Sequence, residues 1–256
     1  MPAPAFVEFI EVFKRFGAGP TILDRLSLSI AAGDFVSLIG PSGCGKSTVL
    51  RLVAGLTPVS SGSLHIAQRP AEENATDLGF VFQEPTLLPW LTTARNVELA
   101  QKLRGVSVNE RIATRRRVLE LVQLSDKSDA YPRELSGGQK MRVSIARALS
   151  LSPKLLLLDE PFGALDEMTR ERLNEELLSI RQQQAWTAFF VTHSVAEAVF
   201  LSNRVIVMAA NPGRIHSDIA IDLPYPRTAA LRLSADFHSC VDRVTRALRT
   251  AEGPRT

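Results

Sequence analysis

Nine residues constrain this chain most. Gly40-Pro41-Ser42-Gly43-Cys44-Gly45-Lys46-Ser47-Thr48 fits the pattern G-x-x-x-x-G-K-[ST]. The apolar run Phe35-Val36-Ser37-Leu38-Ile39 leads into it, and apolar residues at helical spacing follow from Ser47 to Leu56. A strand, a glycine loop and a helix in that order bend the backbone so that its N–H groups converge on one point. The positive end of the following helix faces the same point, which suits phosphate oxygens. Lys46 adds a point charge for the β and γ phosphates, and the Ser47 hydroxyl suits Mg²⁺. ATP is therefore the expected ligand and Mg²⁺ its expected companion.

A buried strand ahead of such a loop calls for an α/β protein, and the composition agrees. Of 256 residues, 45% are hydrophobic but only 6% aromatic, so the core is built from Leu, Val, Ile and Ala. That favours buried parallel strands over an aromatic-rich sandwich. No apolar run approaches the roughly 18 residues that span a bilayer. Met1-Pro2-Ala3-Pro4 has no basic region followed by an apolar stretch, so the expected location is the cytosol. Cys44 and Cys240 make no disulfide framework, which agrees with a reducing compartment. The net charge of +3 identifies no partner by itself.

Along the chain, Phe6 to Phe13 and Leu26 to Ile30 alternate as half-buried strands do, and Gly62 to Ile66 and Gly79 to Phe82 read as short strands. From about Thr92 to Leu149 the pattern is helical. Asn109 to Leu124 carries Ile112, Val118, Leu119, Leu121, Val122 and Leu124 on one side, with Arg111, Arg115 and Arg116 opposite as a solvated face. Leu155 to Leu158 and Ala188 to Val191 are buried strands, with a helix from Glu167 to Gln184 between them. Arg204 to Met208 and Arg214 to Leu223 are later strands joined through the turn sequence Asn211-Pro212-Gly213. A helix from about Ser234 to Thr250 ends the pattern, its stripe made by Phe237, Val241, Val244 and Leu248.

Chemistry-bearing residues gather at strand exits. Asp159 ends its strand, where a carboxylate can hold Mg²⁺ directly or through water, and Glu160 beside it can deprotonate an attacking water. Gln83 and His193 also lie just beyond strands. In an open parallel sheet that edge is where ligands bind. Leu135-Ser136-Gly137-Gly138-Gln139 carries a capping-box spacing, and its plain reading is a helix start. Two adjacent glycines in a first turn cost about 1 kcal/mol each relative to alanine, so a close neighbour of the backbone is also expected. Bare N–H groups and a serine hydroxyl would make a second anion site.

On these motifs the chain resembles the nucleotide-binding subunit of an ABC transporter. In order, Gly40 to Thr48 matches the Walker A loop, Gln83 the Q-loop, Leu135 to Gln139 the signature, and Leu155 to Asp159 Walker B. Glu160 matches the catalytic glutamate, Ala164-Leu165-Asp166 the D-loop, and His193 the switch histidine. The resemblance implies a P-loop core with a parallel sheet, an N-terminal antiparallel β subdomain and an inserted helical subdomain at about 88–150. It places the ATPase domain at 1–230 and a C-terminal helical extension at 231–256. It implies ATP hydrolysis with Glu160, His193, Gln83 and Lys46 as the catalytic set. Ser47, Gln83 and Asp159 would serve Mg²⁺. Residues Gly40 to Thr48, Ser136, Gly137, Gly138, Gln139 and Asp166 would serve the nucleotide. It implies a head-to-tail dimer in which each ATP lies between the loop of one copy and the signature helix of the other. Phe16 matches the family's adenine-stacking position, where Tyr is commoner. A core position is the other reading of Phe16.

A narrower similarity is to the nitrate, sulfonate and taurine importer branch. It rests on Phe82-Gln83-Glu84-Pro85-Thr86-Leu87-Leu88-Pro89-Trp90, on Asn211-Pro212-Gly213-Arg214-Ile215 and on Leu223-Pro224-Tyr225-Pro226-Arg227. Lys140 stands where many relatives have Arg, keeping the charge without the planar fork. The similarity implies a membrane permease as partner, a separate solute-binding protein, no nucleic acid, and a place on the cytoplasmic face of the membrane. Leu87, Leu88 and Trp90 suit a docking surface, or a core under the helical lobe. The competing readings are an exporter or lipid-transport ATPase, a soluble ATPase acting on nucleic acid or the ribosome, and a switch that barely hydrolyses.

Overall fold

The computed structural model describes residues 5–71, 78–184 and 186–252. Met1 to Pro4, read above for a leader, lie outside them, as do the last four residues of the 231–256 extension. The chain forms two compact units, one from the segments up to 76 and from 186 onward, the other from 77 to 185.

In the first unit, alternation makes the strands. β1 (Ala5–Arg15) buries Val7, Phe9 and Val12, and β2 (Thr21–Ala31) buries Leu23, Leu26, Leu28 and Ile30. With β4 (Ser61–Ile66) and β5 (Arg69–Pro70) they form an antiparallel sheet in the order β2-β1-β4-β5. β3 (Phe35–Ile39) and β8 (Thr187–Val191) are buried at every position, as parallel strands covered on both faces must be. β3 pairs in parallel with β8 on one side and with β9 (Arg204–Ala209) on the other. β10 (Arg214–Ala220) returns antiparallel to β9. Phe9 meets Phe189 edge to face at 6.3 Å, fastening the antiparallel sheet onto the parallel strands.

Among the described residues this unit also holds the α-helices α1 (Lys46–Val53), α6 (Val195–Leu201) and α7 (Ala235–Glu252). α7 buries Phe237 and Val244 and packs on α6, β9 and β10, so the C-terminal helix is part of this unit's core. Leu223 to Arg227 has a clear local role. Arg227 is 4% exposed, and its guanidinium donates to the carbonyls of Val199, Phe200 and Ser202 at 2.8–2.9 Å and of Leu223 at 3.1 Å. A cation on the last carbonyls of α6 completes that helix's negative end.

The second unit holds the parallel pair β6 (Leu78–Val81) and β7 (Leu155–Asp159), with Val81 opposite Leu158. Its helices are α2 (Thr93–Leu103), α3 (Val108–Leu121), α4 (Gly137–Leu149) and α5 (Glu167–Gln183). α4 is buried along most of its length and packs on α2, α3 and β6. The basic face of α3 departs from expectation. Arg111 and Arg115 are largely buried and reach Glu98 of α2, Arg115 at 2.6 Å, while Arg116 stays exposed. A carboxylate on a neighbouring helix holds them, and no pattern within α3 reveals it. Among the described residues no helix is long and apolar enough to cross a membrane.

Candidate functional site

In the first unit, Gly40 to Thr48 curls between β3 and α1 as the pattern predicts. Gly45 caps α1 with φ 95°, a left-handed backbone that glycine adopts without strain. A side chain there would also meet Leu23 of β2, 2.7 Å from the Cβ position. The Cβ position of Gly40 is 2.6 Å from the Met208 carbonyl of β9. The loop is therefore seated on its own sheet, and these glycines are steric requirements. Lys46 is buried, and its ammonium donates to the Gly40 carbonyl at 2.9 Å and the Pro41 carbonyl at 3.1 Å. Ser42 and Gly43 are exposed at the tip, and Ser47 and Thr48 are half-buried.

Cys44 sits beneath the loop and is wholly buried. Beside a helix start and a lysine it is expected to be an acidified, reactive thiol, and the structure corrects that. Burial pushes its pKa up, and the nearby Lys46 ammonium opposes this only in part.

β3 and β8 run parallel with Leu38 opposite Val191, so the Gly40 loop and His193 leave the sheet at one edge. His193 is exposed, and its neighbours are pinned. Buried Thr192 hydrogen-bonds buried Glu197 and accepts from the Ser194 N–H at 3.0 Å. Ser194 caps α6. The S-x-x-E spacing of Ser194 and Glu197 was the only signal of this arrangement. Phe16 is 48% exposed in the β1–β2 turn, with the Lys14 ammonium 4.5 Å from its ring centre. It is no core residue.

In the second unit, Gln83 lies just beyond β6, Asp159 ends β7 and Glu160 follows it, so the register brings these three to one edge as well. Glu160 has φ 47°, a conformation that costs a non-glycine residue of order 1–3 kcal/mol. The Gly163 N–H donates to its carbonyl at 3.1 Å, and Phe162, 1% exposed, anchors the turn. With that backbone the extended run of β7 stops at Asp159.

Ser136 makes the expected capping box, accepting from the Gln139 N–H at 3.2 Å while the Ser136 N–H donates to Gln139 at 2.9 Å. Gly137 is exposed. The close neighbour expected at these glycines is in part the chain itself. A Cβ on Gly138 would lie 3.1 Å from the Thr169 methyl, and one on Gly137 3.4 Å from Leu165. Asp166 caps α5 by accepting from the Thr169 N–H at 3.0 Å, and that bond lowers its pKa. The start of α4 and the Leu165-Asp166 turn thus form one assembly.

Two residues that sequence reasoning passed over shape the segment after Gln83. Asn96 of α2 is fully buried, accepts from the Leu88 N–H at 2.8 Å and donates to the carbonyls of Leu88, Leu91 and Thr92. Arg147 of α4 donates to the Pro85 carbonyl at 3.0 Å and to the Thr86 carbonyl and hydroxyl at 2.9 Å. The segment so held presents Trp90 at 69% exposure, while Leu87 and Leu88 are only half-buried.

The ABC transporter family pattern matches residues 23–163. Over 249 residues the chain is 43% identical to an aliphatic sulfonates import ATP-binding protein of Bacillus subtilis, covering 95% of each chain. It is 43% identical over 240 residues to a nitrate import ATP-binding protein of Synechocystis, covering 91% of this chain and 90% of the relative. Among solved structures it is similar to the ATP-binding cassette MJ0796 in a dimeric post-hydrolysis state bound to ADP and Pi. That likeness has a TM-score of 0.75 and 31% identity, over 85% of this chain and all of the other.

Proposed function

The chain belongs to the ABC transporter family of ATPases, and we propose that it powers an importer of a small anion or organic solute such as nitrate, a sulfonate or taurine. What carries the reading is the end-to-end likeness to import subunits for sulfonates and nitrate, 43% identical across nine-tenths or more of both chains. The segment from Phe82 to Trp90 adds to it, since its exposed Trp90 is a fitting contact for a membrane partner.

Two copies meet head to tail, and the loop from Gly40 to Thr48 of one faces Ser136 to Gln139 of the other across the nucleotide. Lys46 holds the β and γ phosphates, with the loop N–H groups around them. Glu160 takes a proton from the attacking water, and His193 holds the γ-phosphate end. Asp166 and the start of α5 brace the signature helix. Closure of the pair presses on a permease through the segment from Gln83 to Trp90, and opening follows product release.

Magnesium suits the donors. The Ser47 hydroxyl, the Gln83 amide oxygen and the Asp159 carboxylate are all hard oxygen ligands. Among the described residues no three His, Cys, Asp or Glu side chains gather as a metal cage. Mg²⁺ ordinarily takes one or two carboxylates, with phosphates and water filling much of its shell, so the single carboxylate of Asp159 beside two neutral oxygen donors is in keeping with it. When bound, it neutralises charge on the phosphate oxygens. A solute-binding protein delivers the cargo from the far side of the membrane, and this chain works at the cytoplasmic face.

The test is to isolate the complex with its permease and measure ATP hydrolysis in lipid vesicles with each solute and its binding protein. Stimulation by nitrate, a sulfonate or taurine supports the reading. Stimulation only by a substrate leaving the cytoplasmic side overturns it.

A further inference from the structure

The turn Asn211-Pro212-Gly213-Arg214 lies more than 160 residues beyond the phosphate loop in sequence, yet it packs against the loop's underside. Gly213 donates its N–H to the Ile22 carbonyl of β2 at 2.9 Å and accepts from the Asp24 N–H at 3.0 Å. A short parallel bridge therefore joins Leu23 to Gly213. The Cβ position of Gly213 lies 2.2 Å from the Cys44 carbonyl and 2.7 Å from the Ile22 carbonyl. Both neighbours are backbone, which cannot rotate aside as a side chain would. Arg214 fixes the turn from outside by pairing with Asp24, its Nε reaching the carboxylate at 3.0 Å.

These contacts join two already described, Gly45 against Leu23 and Gly40 against Met208. The loop is thus wedged from below by β2, by β9 and by the turn that follows β9. Of the three supports, Gly213 touches the peptide of Cys44, in the middle of the curl whose N–H groups converge.

We propose that Gly213 is a positioning residue for the phosphate loop. Having no side chain, it lets the β9–β10 turn hold the Cys44 peptide at the height from which the loop grips phosphate. It makes no contact with nucleotide itself. Any side chain at this position lifts the loop or expels the turn. The inference rests on assigning Gly40 to Thr48 to the nucleotide, and the wild-type titration tests that assignment separately.

The test is Gly213→Ala in the full chain, read by titration with a non-hydrolysable ATP analogue and by steady-state kinetics. Losing one hydrogen bond from the loop to a charged phosphate weakens binding about ten- to hundredfold, so the expected rise in Kd and KM is of that size and larger than the change in kcat. A second readout is independent of activity. Alkylation of Cys44 by N-ethylmaleimide becomes faster relative to Cys240, because the buried thiol is uncovered. If Gly213→Ala fails to fold, Asp24→Asn and Arg214→Gln decide. Each loosens the turn without a clash, and an exposed ion pair is worth at most about 1 kcal/mol, so each raises Kd about two- to fivefold. The charge swap Asp24→Arg with Arg214→Asp restores it. Wild-type affinity and Cys44 reactivity in a folded Gly213→Ala, or in both surface variants, overturns the proposal. A wild-type chain that binds no nucleotide sinks the loop assignment instead.

Discussion

Arg147 ties α4 to the segment after Gln83, and removing it has a calculable effect. Three hydrogen bonds from one guanidinium fasten Pro85 and Thr86 to α4. Burial lowers the Arg147 pKa, yet an arginine stays charged at any working pH. A charge-assisted hydrogen bond contributes about 1.5–3 kcal/mol. These three share a half-exposed fork, so we assign about 2–3 kcal/mol to the set. Against that stands Thr86, held at φ 47°, which costs a β-branched residue about 1–3 kcal/mol. Without Arg147 the segment is held only further on, by Asn96 at Leu88, and Pro85 and Thr86 relax away from α4. The global loss is modest, since 1 kcal/mol lowers Tm by about 2–4 °C in a chain of this size. The functional loss is larger if the segment passes closure to the permease. A population shift of about 2–3 kcal/mol is roughly 30- to 150-fold. In the reconstituted transporter, Arg147→Ala therefore keeps basal hydrolysis within a few fold and loses most of its stimulation by solute. Arg147→Lys keeps the charge without the fork and is only partly stimulated. Adding Thr86→Gly to Arg147→Ala does not restore coupling, because the strain is relieved and the tether is still missing. Full stimulation in Arg147→Ala would refute the reasoning.

Other expectations follow from the same geometry. Glu160→Gln binds ATP but turns over about 10²- to 10⁴-fold more slowly, the usual scale for a lost general base, and near-normal turnover removes Glu160 from that role. Wild-type Cys44 alkylates more slowly than half-exposed Cys240 at pH 8, with its rate rising only at higher pH because burial raises the thiol's pKa. Equal rates at the two cysteines would contradict its placement under the loop. Trp90→Ala weakens co-purification with the permease, and unchanged recovery of the complex argues against docking there.

Much of this was legible because it is local. A buried strand, a glycine loop and a helix follow one another in sequence, as do Ser136 and Gln139, so pattern alone places them. The exit of Asp159 and Glu160 from β7 and the apolar stripe of α7 are equally local. What escaped was long-range. Arg111 and Arg115 look solvated until Glu98 is placed beside them by the packing of α2 on α3. Cys44 looks acidified until burial outweighs the lysine. Arg147 reads as one more basic residue on a helix, and only the fold brings Thr86 to it. Gly213 looks like an ordinary turn glycine, and its near neighbour Cys44 is far away in sequence. The φ of Glu160 has no sequence signature, since glycine is the residue that advertises such a backbone.

The central claim is that each hydrolytic site takes its loop from one copy and its signature helix from another. Mixing two inactive chains tests this most directly. One carries Lys46→Ala and has no loop charge. The other carries Ser136→Glu, which puts a negative charge where phosphate should lie. Each alone is inactive. Mixed in equal amounts, half the dimers are mixed and one of their two sites is intact, so recovery approaches about a quarter of the wild-type rate. No recovery on mixing, with both chains folded and dimeric, would contradict the shared site. Full activity of either chain alone would contradict it as well.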